Sequence, residues 1–286
     1  MYKIAILGSE NSHADIFMGY IIKENLYPDI EVVGVYSEDK EATDKQHEEF
    51  GVYVAKSYDE FVGKVDGVII TARHGDDHYK FAKPYISSGI PMFIDKPVTI
   101  SEKEAAEFKA ELMENNVKVC GGSCLQFADG IKEVKEILKN EDCGEMYGAF
   151  FRAPVSLKND FGNFYFYSQH LAQMMVEVFG FFPISVKAYQ RGNVINCVVK
   201  YNDFDVSLMY TNGSWEYWAG VNSEKQTFFK KCTLDNCFSR EFEVFNQILT
   251  GGEQPHGYDE FFAPVYILNA IDRAVKSGNE EIIKRG

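Results

Sequence analysis

The 286-residue chain reads as α/β, with a doubly wound parallel sheet at its N-terminus and a C-terminal α+β domain built on a large, mainly antiparallel sheet. Three observations predict this. Over the first 120 residues, short apolar runs alternate with helix-period segments. A glycine turn follows the first run. After Gly121, strand-like runs succeed one another with few helices between them.

Each element has its own reason. Lys3–Leu7 (KIAIL) is a short buried strand that ends at Gly8. His13–Glu24 sets Phe17, Tyr20, Ile21 and Glu24 at helical spacings, with Ser12 as its N-cap. Ile30–Tyr36 is a second strand and Glu38–Phe50 a polar helix. Gly67–Thr71 is a strand, Asp77–Ser88 a helix leading to Gly89, and Met92–Ile94 another strand. Ser101 and Glu104 form a capping box that opens the helix Ser101–Asn116. Val117–Gly121 completes the pattern. Continuous apolar runs, rather than strict alternation, predict strands covered on both faces. Beyond them, Phe127–Leu138 is helical, Met146–Arg152 a strand, and His170–Phe179 a helix stopping at Gly180. Then come ISVKAYQ, VINCVVKY, FDVSLMY and QTFFKKCTL, closed by helices at Arg240–Thr250 and Asp259–Ser277. The change of rhythm divides the chain into domains 1–120 and 121–286.

Composition narrows the function classes. A 45% hydrophobic chain supports true cores. Its 29 Lys+Arg against 43 Asp+Glu give −14, the wrong sign for a nucleic-acid partner. The opening MYKIAILGSE lacks the basic and apolar regions of a signal peptide, and no apolar run is long enough to span a membrane. The six cysteines form no CxxC pair, so buried thiols in a reducing, cytoplasmic compartment are expected, with no metal site. His74 and His78 flank Asp76 and Asp77, but this reads as a loop and not a metal cluster.

Strand, glycine turn and helix together make the dinucleotide-binding arrangement. The turn reads Gly8-Ser9-Glu10-Asn11-Ser12-His13. Gly8 matches the first glycine of GxGxxG, whereas Glu10 and His13 replace the second and third. The ribose-binding acid expected after the second strand falls at Ser37, followed by Glu38 and Asp39. Acidic neighbours repel a 2′-phosphate, so NAD is favoured, with NADP left open. A carboxylate at Glu10 is expected to weaken dinucleotide binding by repulsion, unless it points away and braces the first helix. A turn that binds nothing is the plain alternative.

At the strand Met92–Ile94 the sequence reads MFIDKPVTISEKEA. Asp95-Lys96-Pro97 resembles the Glu-Lys-Pro motif of the glucose–fructose oxidoreductase, inositol dehydrogenase and rhizopine-catabolism (Gfo/Idh/MocA) family. GVIITARHGDDHYKFAKPYISSG, VKVCGGSCLQF, CGEMYGAFF and FEVFNQILTGGEQP resemble further segments of that family, in its order. The resemblance covers nearly the whole chain. It implies a Rossmann-like first domain and an NAD(P)-dependent dehydrogenase moving hydride between nicotinamide and a sugar, cyclitol or related polyol. It implies a cofactor lying along Gly8, Glu10, Asn11, Ser12 and His13 of the turn, and Ser37 and Glu38 after the second strand. Thr71, His74 and His78 contribute at the next loop, with His78 as the family's loop histidine. Asp95 orients Lys96, whose ammonium stabilises a developing alkoxide. The family's Asp-x-x-x-His acid–base element falls on NFYFYSQHLAQ, where His170 matches the histidine and Phe166 replaces the aspartate. His170 then moves the proton alone, or with Tyr165 or Tyr167. A packing histidine is the structural alternative. Trp215, Tyr217 and Trp218 fit sheet core better than a sugar-stacking role. A second-domain sheet with too few helices to cover it predicts a homodimer or homotetramer. The rival reading is a non-catalytic ligand- or dinucleotide-binding regulatory homologue.

Overall fold

The computed structural model describes residues 1–140 and 142–285. In chain order the first elements are β1 (Tyr2–Leu7), α1 (Ser12–Met18), β2 (Ile30–Tyr36), α2 (Lys40–Phe50), β3 (Gly67–Ile70), α3 (Gly75–Ile86), β4 (Met92–Asp95), α4 (Glu102–Glu114) and β5 (Val119–Gly122). There follow α5 (Asp129–Asn140), β6 (Met146–Val155), α6 (Phe164–Phe179), β7 (Ser185–Arg191), β8 (Val194–Lys200), β9 (Asp205–Asn212), β10 (Tyr217–Ser223) and β11 (Thr227–Cys232). The chain closes with α7 (Cys237–Leu249), α8 (Tyr258–Ser277) and β12 (Glu280–Ile282). It divides into two compact units. The first comprises Met1–Thr99, Lys103–Gly122 and Phe238–Tyr258, the second Ile100–Glu102, Ser123–Cys237 and Asp259–Gly286.

The first unit holds a five-stranded, all-parallel sheet in the order β2-β1-β3-β4-β5. All residues of β3 and β4 are buried, as expected of central strands covered on both faces. One cover is α7: Phe242, Phe245, Ile248 and Leu249 join Ile4, Phe17, Ile69 and Phe93 in a single buried cluster. Phe17 meets Phe93 edge-on at 5.2 Å and lies tilted against Phe242 at 5.3 Å. The helix read as His13–Glu24 is α-helical only from Ser12 to Met18, and Gly19–Lys23 is π-helical. Its N-cap is Asn11 and not Ser12, because Ser12 is already the first helical residue. The Asn11 side chain accepts the His13 N–H at 3.2 Å.

The second unit carries a seven-stranded sheet in the order β11-β10-β6-β9-β8-β7-β12. Its strands pair antiparallel except for β6 with β9, which are parallel. The α6 helix starts at Phe164, six residues earlier than read from sequence. Aromatic side chains that look like a loop locally are paid for by tertiary contacts: Phe164 meets Tyr210 at 5.5 Å, and the Tyr165 hydroxyl donates to Asp272 at 3.2 Å. All six cysteines are buried. No helix among the described residues is long and apolar enough to cross a membrane.

Candidate functional site

The carboxyl ends of parallel strands are where ligands bind such sheets, and the candidate residues of the first unit sit there. Gly8 ends β1 with φ +69°, and a Cβ on it would fall 2.5 Å from the Ala72 Cα. Only glycine allows the turn to approach the end of β3 so closely. Thr71 locks that approach from the other side, its buried hydroxyl donating to the Gly8 carbonyl at 3.0 Å. The Glu10 carboxylate does not cap α1. It accepts the Ser37 hydroxyl at 2.6 Å and the Arg73 main-chain N–H at 3.0 Å, tying together the loops after β2 and β3. Glu38 lies further out, exposed and paired with Lys80 at 2.9 Å.

Asp95, the last residue of β4, is fully buried and is the hub of this edge. One oxygen accepts from the His13 ring at 2.7 Å and the Asn11 amide at 3.1 Å, the other from the Lys96 main-chain N–H at 2.7 Å. Burial alone would raise its pKa. The His13 ring and its hydrogen bond, followed by the charge and N–H of Lys96, outweigh that and hold the carboxyl below its ordinary value. Asp95 therefore positions Lys96 through the main chain while anchoring α1 through its first residues. Because a carboxylate only accepts, His13 Nδ1 carries the proton of that bond. Lys96 is itself nearly buried, at 4% exposure.

Two histidines differ from their sequence reading. His78, which the resemblance assigns to the cofactor loop, belongs to the helix read at Asp77–Ser88. It lies inside α3, fully buried, with Nε2 2.8 Å from the Ala72 carbonyl oxygen. Burial lowers its pKa, so the ring is neutral, and Nε2 carries the proton it donates. In this position it braces Ala72 from beneath and touches no open surface. His74 is the N-cap of α3, its ring accepting the Asp76 N–H at 3.3 Å. Among the described residues no group of three His, Cys, Asp or Glu side chains could hold a metal.

In the second unit, α6 carries His170, buried to 4% exposure, with Nδ1 2.6 Å from the Ser123 hydroxyl. Ser123 directly follows the carboxyl end of β5, and its oxygen also accepts the Leu125 N–H at 3.3 Å. The sequence reading missed Ser123; its place immediately after a parallel strand was the available signal. Tyr167 stands edge-on to the His170 ring at 5.2 Å and to Trp215 at 5.1 Å. Tyr165 is turned away: its hydroxyl is committed to Asp272 and Asn269 on α8, and burial raises its pKa. Phe166 packs on Phe161 at 5.1 Å, so no carboxylate stands one turn before the histidine. Tyr217 is sheet core, as expected, but Trp215 is 62% exposed.

Comparison with known proteins bears on the fold. Residues 2–123 match the Gfo/Idh/MocA family model, described as an oxidoreductase family with an NAD-binding Rossmann fold. The chain is 31% identical over 101 residues to an uncharacterized oxidoreductase of Streptococcus pneumoniae, an alignment covering 35% of this chain and 27% of that protein. The chain thus spans about a quarter of that relative's length. Among solved structures, myo-inositol 2-dehydrogenase from Lactobacillus plantarum superposes with a TM-score of 0.86 at 14% identity, covering 99% of both chains. Myo-inositol dehydrogenase from Corynebacterium glutamicum gives 0.86 at 13% identity, covering 100% of both. Scyllo-inositol dehydrogenase from Lactobacillus casei, solved with NAD(H) and scyllo-inositol, gives 0.85 at 14% identity over 99% of both. At such identities the likeness is one of fold.

Proposed function

We propose, from the match of residues 2–123 to the Gfo/Idh/MocA family model with its NAD-binding Rossmann fold, that this chain is an NAD-dependent dehydrogenase of a sugar, cyclitol or related polyol. The observation that carries the proposal is the anchorage of Asp95. Three hydrogen bonds fix the carboxyl end of β4, and so set the Lys96 main chain at the sheet edge where such folds bind ligands. The first unit suits the cofactor: Gly8 provides the close turn, and the Glu10 side chain is drawn off toward Ser37 and Arg73. When bound, NAD supplies the hydride acceptor. Lys96 stabilises the alkoxide that forms as the substrate hydroxyl loses its proton. His170 is the acid–base group of the second unit, and proton uptake at its Nε2 requires Nδ1–H to donate to the Ser123 oxygen. In that tautomer the Ser123 oxygen accepts where a carboxylate accepts in other acid–base histidines. The exposed Trp215, beside Tyr167, offers an apolar face of the kind that stacks on a sugar or cyclitol ring.

A regulatory, non-catalytic role is the second reading, favoured by Phe166 in the place of an acid. One experiment separates the two. Pure protein is titrated with NADH and NADPH, then screened against polyols and sugars by nicotinamide absorbance. Turnover, falling about 10²-fold or more in kcat/KM for Lys96→Ala and by a similar order for His170→Ala, supports the dehydrogenase. Dinucleotide binding without turnover on a broad panel supports the regulator. Near-normal activity in both variants removes the proposed site.

A further inference from the structure

In dinucleotide-binding sheets the carboxylate that holds the adenosine ribose usually stands at the end of the second strand. Here that place is Ser37. The structure brings a carboxylate to it from another segment. Gly8 and Ser9 both donate main-chain N–H groups to the Tyr36 carbonyl, at 2.7 and 3.1 Å, so the turn hugs the end of β2. The Thr71 N–H donates to the Leu7 carbonyl at 2.9 Å and its hydroxyl to the Gly8 carbonyl at 3.0 Å, so the same turn is pinned to the end of β3. Glu10 therefore leaves the turn between these two strand ends. Oε2 accepts the Ser37 hydroxyl at 2.6 Å and Oε1 the Arg73 main-chain N–H at 3.0 Å. The side chain remains partly exposed, and an ionised carboxylate has acceptor sites left after two hydrogen bonds.

We infer that Glu10 is the ribose-recognising carboxylate of this chain, delivered from the glycine turn and not from β2, and that it selects NAD over NADP. The inference rests on the dinucleotide reading above. A ribose 2′-hydroxyl donates to a carboxylate. A 2′-phosphate has no such donor and brings like charge. Glu38 adds a second negative charge on the same loop, and the cation beside it, Lys80, is already committed to Glu38 at 2.9 Å and Asp77 at 3.4 Å. Held by two donors, Glu10 has little side-chain freedom left to lose on binding. The residue that breaks the glycine fingerprint thereby takes over the duty of the acid missing after β2.

The test is calorimetric titration of the full chain with NADH, NADPH and NADH lacking the adenosine 2′-hydroxyl. Wild type is expected to bind NADH about tenfold or more tighter than either analogue, the value of one hydrogen bond to a charged acceptor. Glu10→Gln is expected to weaken NADH and to bring all three affinities within about threefold. Equal wild-type affinity for NADH and its 2′-deoxy form overturns the inference, and that measurement does not depend on any variant folding. Tightening of NADH by Glu10→Gln, the outcome of simple repulsion, also overturns it. If wild type binds none of the three, the dinucleotide reading itself fails and this inference with it; if it binds NADH without discrimination, only this inference fails.

Discussion

Asp95→Asn changes one atom type at the centre of the first unit's candidate edge. The carboxylate accepts three hydrogen bonds, at 2.7, 3.1 and 2.7 Å, in a fully buried site. A hydrogen bond to a charged group is worth roughly 1 kcal/mol more than a neutral one, so neutralisation costs about 3 kcal/mol over the three. The new amide also turns a donor toward donors at one end, which adds about 1 kcal/mol or more for a buried group left without a partner. The total, about 4 kcal/mol, matches the roughly 3–5 kcal/mol typical of breaking a buried pair. For a protein of this size it corresponds to a fall in melting temperature of about 10 °C. The pH dependence supplies a second check. The folded-state pKa of Asp95 lies below its ordinary 3.8, so its contribution is present above that value and is lost as pH falls through the folded-state value. Wild type should therefore lose stability on the acid side, and the variant's melting temperature should fall less steeply there. The assay is thermal unfolding by circular dichroism across the acid range. A loss under about 1 kcal/mol at neutral pH, with parallel acid limbs, would refute the hub role of Asp95.

Two further outcomes follow from other parts of the chain. Glu104 has its pKa raised from 4.5 to about 7, first by burial and then by the charges of Asp76, Glu107 and Asp77. The folded state holds its proton more tightly than the unfolded state, so stability falls as pH rises between those two values. Glu104→Gln should raise the melting temperature at about pH 8 and leave it unchanged at about pH 4; an equal change at both would show that the effect is not titration. On the second sheet, Tyr189, Val198 and Phe229 are 61%, 40% and 56% exposed, and cross-strand register puts all three on one face. We expect this face to be covered in a homo-oligomer, and light scattering at micromolar concentration is the check; a monomer rejects it.

Much of the molecule was legible because the relevant physics is local. Apolar runs such as KIAIL and GVII, too short for helices and flanked by glycine, read as strands buried on both faces, and their spacing by helical segments implies a parallel sheet. The place of Lys96 was legible for the same reason: it follows directly on a buried strand. What the sequence could not show depended on contacts between distant segments. Asn11 rather than Ser12 caps α1, and it also reaches Asp95, 84 residues away. Ser123 meets His170 across 47 residues, and no local pattern encodes that pairing. The family resemblance assigns His78 to the cofactor loop, yet α3 buries it against Ala72. The α7 helix follows the second sheet in sequence but returns to cover the first, since its Phe242, Phe245, Ile248 and Leu249 complete that sheet's core. Amphipathic periodicity says that a helix has an apolar face; which sheet that face covers is decided by the surface left uncovered when the chain has folded. Glu10 shows the same division. By sequence it is an acid where glycine is usual, and repulsion is the natural reading. Only the tertiary structure, by pinning the turn to the ends of both β2 and β3, hands its carboxylate to Ser37 and Arg73 and gives it another use.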